Sequence, residues 1–505
     1  MQLNQIKIGA FLNYLAIGLN MFIGLIYTPY LLRALGQSEY GLYSLASSMI
    51  AYLTVLDLGF GNAIVRYTVK YRIEGKYEEQ SKLLGMFFVI YLVIGLIAVM
   101  IGGILAINTE NIFEANMTAS EIAKTKIMLW LMTFNLAFTF PMSIWGSIMS
   151  AYERFIFQRI VSILRSILNP LIMLLLLLWG YKAIALVVVT TICNVLTLFV
   201  NYVYCKKRLK LGLTFGWIEK PLIIEITTFS FWVFLAALTD KIYWSSGQFI
   251  LGIVQGAAVV AIYSVAIQLK DMFYLFSTAI SSIFLPRITT MVSKGASVEE
   301  ISRLFIRTGR IQYVILAFIL TGFILIGRDF IHLWAGNEYD SAYFIALLFF
   351  VSTAIPLIQN LSISILMAYN RLKTRSIIVL SLSILSLFLA VPFSMKYGGI
   401  GCASISAITI VITYGFVLNY YYGKYIKIRV MIFWKEIFKM SIIPLIFVVI
   451  GLLLRPYIVI TSWRGLFLYV IVFSILYIPI YYIYSFNLYE KELVRKPLMR
   501  IFQHK

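Results

Sequence analysis

Residues 83–106 run for 24 positions without a charged side chain, and residues 9–32 do the same. Runs of that kind leave a chain few options. A helix needs roughly 20 apolar residues to cross a ~30 Å hydrocarbon core, and only helices or closed barrels satisfy their backbone groups there. The period-2 alternation of barrel strands is absent, so the runs read as helices. With 61% hydrophobic and 12% charged residues, the 505-residue chain also has too little polar surface to coat a water-soluble globule. The expected fold is an all-α integral membrane protein with about 14 transmembrane helices by this length criterion.

The chain repeats itself at an offset of 217 to 220 residues. Tyr43-Ser44-Leu45-Ala46 returns as Tyr263-Ser264-Val265-Ala266, and Ala151-Tyr152-Glu153-Arg154 returns as Ala368-Tyr369-Asn370-Arg371. Asn201-Tyr202-Val203-Tyr204-Cys205-Lys206 returns as Asn419-Tyr420-Tyr421-Tyr422-Gly423-Lys424. Three matches in one order at nearly one offset indicate two homologous six-helix lobes, the plan of an alternating-access transporter. The expected division is residues 1–220, residues 221–435, and a terminal helix pair with a basic tail over 436–505.

A net charge of +21 raises the question of nucleic acid, and its distribution answers it. Bases collect in alternate connections: Lys70, Arg72, Lys76 and Lys82; Lys206, Lys207 and Arg208; Lys294, Arg303, Arg307 and Arg310; Arg371, Lys373 and Arg375; Lys424 and Lys427. The longest intervening connection, around 107–123, has Glu110, Glu114 and Glu121 and no base. This is the positive-inside pattern, which places both termini in the cytoplasm and makes membrane lipids, rather than nucleic acid, the partner of the charge. The first apolar run exceeds a signal-peptide core and lacks a cleavage site, so it is expected to remain as a helix. Cys193, Cys205 and Cys402 have no metal-ligand spacing and read as small buried residues.

Catalytic chemistry is sparse. His332 and His504 are the two histidines, and neither has a carboxylate at useful spacing. No phosphate-cradling glycine loop, nucleophile elbow or zinc motif occurs, so the expectation is a protein that is not an enzyme, with no cofactor, catalytic residue or metal site.

Ionisable groups inside the spans are costly and therefore point to function. They are Asp57 and Arg66 on the second helix, Arg165 on the fifth, Asp240 and Lys241 on the seventh, and Lys270 and Asp271 on the eighth. An antiparallel pair turning near Gln255 and Gly256 would bring the last four to one depth. Two readings stand there: mutually neutralised pairs that lock the hairpin, or lysines holding an anionic group with the aspartates orienting them or accepting a coupling cation. Arg66, Arg165, Lys241 and Lys270 are thus the candidate substrate-binding charges, and Asp57, Asp240 and Asp271 the candidate gating or ion-coupling groups. Asp57 precedes Gly59 and Gly61, which loosen its helix and suit a hinge, an ion site or a partner for a base on another helix.

Several segments resemble one family. Leu35-Gly36-Gln37-Ser38-Glu39-Tyr40-Gly41-Leu42-Tyr43 is similar to the LGxxxYGxY turn of oligosaccharide-lipid flippases, and Leu56-Asp57-Leu58-Gly59-Phe60-Gly61 with Arg66 is similar to their DxGxG segment. Phe330-Ile331-His332-Leu333-Trp334-Ala335-Gly336 followed by Tyr339 is similar to their FIxLWxG stretch. The resemblance is to Wzx-type polysaccharide biosynthesis proteins of the multidrug/oligosaccharidyl-lipid/polysaccharide exporter superfamily. It implies movement of undecaprenyl-diphosphate-linked sugar repeat units across a bacterial plasma membrane for surface polysaccharide such as O-antigen or capsule. The implied partners are the lipid-linked oligosaccharide and the polymerase and glycosyltransferases of the same assembly. One departure concerns the first helix, which has no charge although some relatives place bases there; binding then falls on other helices. A multidrug exporter of the same superfamily is the alternative, disfavoured by four intramembrane bases against three acids. A membrane-embedded polymerase or ligase is the alternative from another class, disfavoured by a short outer loop lacking His and Arg.

The loop charges predict topology. In a version lacking the native cysteines, single cysteines at Lys76, Lys207, Lys294 and Lys373 should resist an impermeant thiol reagent in intact cells, while those at Glu114 and Asn337 should react. Labelling at Lys207 without labelling at Glu114 would overturn the assignment.

Overall fold

The computed structural model describes residues 2–216, 220–369, 371–493 and 495; Asn370 of the repeat, and His504 with the end of the basic tail, lie outside them. Helices account for every regular element among the described residues. They are α1 (Gln2–Leu53), α2 (Phe60–Ile73), α3 (Tyr77–Ile107), α4 (Thr109–Phe113), α5 (Ala119–Ala151), α6 (Phe155–Leu178), α7 (Ala183–Tyr204) and α8 (Lys220–Val254). There follow α9 (Ala257–Ser293), α10 (Val298–Trp334), α11 (Ser341–Ile358), α12 (Leu361–Ala368), α13 (Leu372–Ile410), α14 (Leu418–Tyr421), α15 (Val430–Leu454) and α16 (Trp463–Ser485). Among the described residues, 12 helical stretches are long and apolar enough to cross a membrane. Two of them, Phe11–Ile73 with 63 residues and Leu372–Ile426 with 55, greatly exceed the roughly 20 residues of one crossing.

Each long stretch is interrupted where the backbone leaves helical geometry. Gly36 inside α1 has φ 76° and ψ 171°, and Gly398 inside α13 has φ 57° and ψ −140°. The end of α1 passes into a 3-10 turn at Thr54–Asp57, and Leu58 (φ 52°) and Gly59 (φ 73°) carry the chain through left-handed conformations into α2. A side chain costs roughly 1–2 kcal/mol in that conformation, which Leu58 bears and Gly59 avoids.

Contacts divide the chain into two compact units, Met1–Ser264 with Ala390–Gly399, and Val265–Leu389 with Ile400–Lys505. These units do not follow the sequence repeat, which divides near residue 220. The physical reason lies in α8, which packs against α1 and α2 of the first unit. Tyr52 hydrogen-bonds Ser246, and the Asn116 amide donates to the Ile253 carbonyl at 2.7 Å. The segment 390–399 belongs there because Gln255 donates to the Ser394 carbonyl at 3.0 Å.

In the first unit the turn at Gly36 is fixed by polar contacts. Glu39, 5% exposed, takes the Lys124 ammonium and the Ala183 N–H (3.3 Å), while Ser38 donates to Glu121. Glu121 also closes a capping box with Thr118 at the start of α5. A Cβ on Gly41 would stand 1.9 Å from the Ala257 carbonyl oxygen, so this glycine lets two backbones touch. The turn that resembles the flippase signature is therefore a packing device. Deeper in, Tyr91 stacks on Phe140 at 6.1 Å and meets Phe60 edge-on at 6.2 Å. Between membrane helices such dispersion contacts, rather than water exclusion, supply the cohesion.

The second unit has an aromatic seam where α10, α15 and α16 meet. Phe318 stacks on Phe473 at 5.4 Å, Tyr477 on Tyr481 at 5.2 Å, and Leu325 and Met440 are buried beside them. Below the seam, Arg310 is 4% exposed and grips three chain segments. Its guanidinium donates to both carboxylate oxygens of Glu490 (2.6 and 2.8 Å), to Glu436 (2.6 Å) and to the Ser485 carbonyl (3.0 Å). The sequence places Arg310 among solvated loop bases. The structure corrects this, because α10 begins at Val298 and carries Arg310 three turns inward.

His332 departs from expectation as well. Asp340 is eight residues on, and the turn at Asn337–Tyr339 folds it back to bond both His332 and Arg328, the latter through two hydrogen bonds of 2.7 and 2.9 Å. The Arg328 guanidinium, followed by His332, holds the Asp340 carboxyl below its ordinary range against the opposing effect of partial burial.

Removing Arg310 strands two carboxylates. Arg310→Met should cost on the order of 3–5 kcal/mol, and adding Glu436→Gln and Glu490→Gln should recover much of it. Thermal unfolding of the purified protein in detergent checks this; an unchanged Tm for Arg310→Met would show that the network carries no stability.

Candidate functional site

Among the expected site residues, Arg165 has the most built surroundings. It lies midway along α6, half-buried, and its Nη1 donates to Asn194 Oδ1 on α7 at 2.8 Å. The Asn194 amide nitrogen in turn donates to Asn135 Oδ1 (2.8 Å) and Thr139 Oγ1 (2.7 Å), both on α5. Three helices are thus tied by one amide, which accepts the guanidinium's hydrogen bond without neutralising its charge. The cation is oriented and keeps its field.

Arg165 also lines a cavity of about 460 Å³ enclosed by α1, α6 and α7. Its polar lining includes Tyr40 and Tyr43 from α1, Ser162, Ser166 and Asn169 from α6, and Thr190 from α7. Among the described residues Arg165 is the sole charged one lining it. Pro170 at the wall lacks an N–H, so the Ser166 carbonyl loses its usual helical donor. Such a recess presents hydroxyls, the amides of Asn20 and Asn169 and one fixed cation, which is chemistry suited to an anionic oxygen-rich group.

Asp57 occupies the break between α1 and α2, where the Tyr91 hydroxyl donates to its Oδ1 at 2.6 Å. The partner is a phenol, not a base from another helix. Arg66 lies farther along α2, exposed, with Glu225 of α8 at 4.0 Å, and it does not line the Arg165 cavity. That pair holds the two helices loosely, since separation and exposure weaken the attraction.

The remaining four charges divide between the units. Asp240 is exposed and Lys241 half-buried on α8, in the first unit; Lys270 and Asp271 are on α9, in the second. The turn joining α8 to α9 falls at Gln255 and Gly256, as the sequence indicates. Within the second unit the buried Lys270 ammonium bonds the exposed Asp271 carboxylate at 2.7 Å. Neighbouring helical side chains diverge, and the length of lysine closes that gap.

Asn135, Thr139, Asn194 and Tyr91 carry no charge to single them out, and Glu225 falls at the end of its apolar run, so none of the five is a candidate from the sequence. The signal available for Asn194 is an amide, one of two with Asn201, inside the largely apolar run 183–204. Among the described residues no three His, Cys, Asp or Glu side chains gather as a metal site would require.

Comparison with known proteins places these features in context. A family model described as "Polysaccharide biosynthesis protein" matches residues 6–292. A solved structure of the lipid II flippase MurJ, in an inward closed conformation, superimposes with a TM-score of 0.73 at 18% identity, covering 97% of this chain and 100% of that one. An inward-facing multidrug resistance MATE transporter of the MOP superfamily gives 0.65 at 13% identity, covering 83% and 99%. A MOP superfamily transporter from Pyrococcus furiosus, described as having a binding pocket of reverse polarity, gives 0.54 at 11% identity, covering 85% and 94%. At these identities the likeness is one of fold. No curated protein matches by sequence.

Replacing Asn194 by Ala removes three hydrogen bonds, each worth roughly 0.6 kcal/mol between membrane helices, and should destabilise the protein by about 2 kcal/mol. Asn194→Asp should retain the contact with Arg165 yet lose the amide donors. A Tm in detergent that is the same for Asn194→Ala and wild type would show that the network does not join α5, α6 and α7.

Proposed function

Because the chain belongs to the polysaccharide biosynthesis protein family, we propose that it is a flippase that moves an undecaprenyl-diphosphate-linked oligosaccharide repeat unit between the leaflets of a bacterial plasma membrane. The observation that carries this reading is the Arg165 cavity: one oriented cation among hydroxyls and two amides, with no acid among the described residues of its lining. A diphosphate carries the complementary charge, and the guanidinium can meet two of its oxygens at once. Sugar hydroxyls exchange hydrogen bonds with water for those of Ser162, Ser166, Asn169 and Thr190. A cavity for cationic drugs needs the opposite sign, which weighs against the multidrug exporter.

The protein works by conformational exchange rather than covalent chemistry. Asp57, bonded to Tyr91 at a break in the helical ladder, is the group that would bias such an exchange on gaining or losing a cation. Arg66, Lys241 and Lys270 are the further charges that this reading assigns to the headgroup, and Asp240 and Asp271 those that it assigns to gating or ion coupling. The polymerase and glycosyltransferases of the same assembly are the partners that supply and consume the substrate.

The test is genetic and chemical. Arg165→Ala should leave the protein in the membrane while lipid-linked repeat units accumulate and surface polysaccharide falls by at least tenfold, a loss of about 1.4 kcal/mol or more. Arg165→Lys should restore part of the output. Normal polysaccharide from a deletion strain, or a deletion that only raises sensitivity to cationic drugs, would overturn the reading.

A further inference from the structure

Beside the Arg165 cavity, the first unit has a second recess of about 670 Å³ along the seam of α1 and α6. It is lined almost wholly by carbon: Phe22 and Ile26 from α1, and Leu171, Leu174 and Leu178 from α6, which recur at helical spacing on one face. Its size falls within the ~300–1,000 Å³ of ligand sites. Ile23, Tyr27 and Pro170 line both this groove and the polar cavity, so the two recesses share a wall. At that boundary the Tyr27 hydroxyl and the Asn169 side-chain oxygen are buried and have no hydrogen-bond partner among the described residues.

An apolar groove alone would accept any lipid tail. An apolar groove that borders a cavity with one oriented guanidinium, and has unused polar atoms at the border, fits a molecule with a long hydrocarbon chain and an anionic head. We propose that the α1–α6 groove seats the polyprenyl chain of the lipid-linked substrate while its diphosphate occupies the Arg165 cavity. This rests on the function proposed above and adds the tail site. Phosphate at the shared wall gains the Tyr27 hydroxyl as donor beside Arg165, and the Asn169 amide, turned about its terminal bond, supplies another. The chain replaces bilayer lipid along the leucine face, a near-neutral exchange in hydrocarbon terms. Selection therefore comes from having head and tail satisfied together.

Binding of full-length protein in detergent, measured by native mass spectrometry, separates the two halves of the site. The probes are undecaprenyl diphosphate, undecaprenol, which lacks the charged head, and dioleoyl phosphatidylglycerol as the ordinary bilayer lipid. Leu174→Trp fills the groove from α6, and Ile26→Trp fills it from α1 at a position 58% exposed, where a larger side chain does not disturb folding. Leu175→Trp, on the same helix but outside the groove, is the control. The expected result is at least tenfold weaker binding of both undecaprenyl probes to either groove variant, wild-type binding to the control, and phosphatidylglycerol unaffected throughout. Arg165→Ala should weaken the diphosphate tenfold and leave undecaprenol unchanged. Wild-type binding of undecaprenol to both groove variants would overturn the proposal, as would equal loss of phosphatidylglycerol, which would mark the groove as a bilayer-lipid site only. The assay needs no transport: if deletion leaves polysaccharide normal while this binding pattern holds, the flippase reading fails and the tail site stands. If Arg165 is essential in cells but the groove variants bind normally, the tail site alone fails.

Discussion

Everything in this fold depends on the need of backbone N–H and C=O groups to find partners inside the segment when no water is present. Helices meet it at nearly every described position, and the exceptions show how much each departure requires. At Gly36 the chain changes direction only with Glu39, Lys124, Ala183 and Ser38 locked around the turn. At Asp57–Gly59 the interruption is surrounded by Tyr91, Phe60, Phe87 and Phe140. These two breaks in the ladder are thus held by protein groups.

The same constraint governs polar side chains, and the two units meet it differently. In the second unit Arg310 is saturated by two carboxylates and a carbonyl, so its charge is consumed in holding α10, α15 and the segment after α16 together. In the first unit Arg165 receives an amide oxygen and no acid. A charge compensated by carboxylates stabilises position; a charge oriented by an amide keeps its field for something else. That contrast, more than the number of buried bases, separates the surroundings of Arg310 from those of Arg165.

The sequence made the helices and their approximate ends legible because hydropathy is a local property, and it located the α8–α9 turn because Gly256 punctuates it. It could not reveal the Arg310 network, since Glu436 and Glu490 are 126 and 180 residues away from Arg310. Nor could it pair His332 with Asp340, which depends on the conformation of the turn between them. Of the candidate site the sequence shows only the charges, Arg165 and Asp57 among them. It passed over Asn135, Asn194 and Tyr91, whose importance comes from which helices adjoin, and adjacency is not written along the chain.

By itself, then, the sequence determined the solvent, the helical class, the repeat and the sign of the loop charge, because each follows from the composition of short windows. Tertiary structure alone decided which charges are neutralised and which remain available. It set α8 against α1 and α2, placed Arg165 in a cavity without acids, and ran an apolar groove along its wall. The reason is electrostatic and steric: a side chain's role in a low-dielectric interior is set by the groups within a few ångströms of it, and those come from helices distant in sequence.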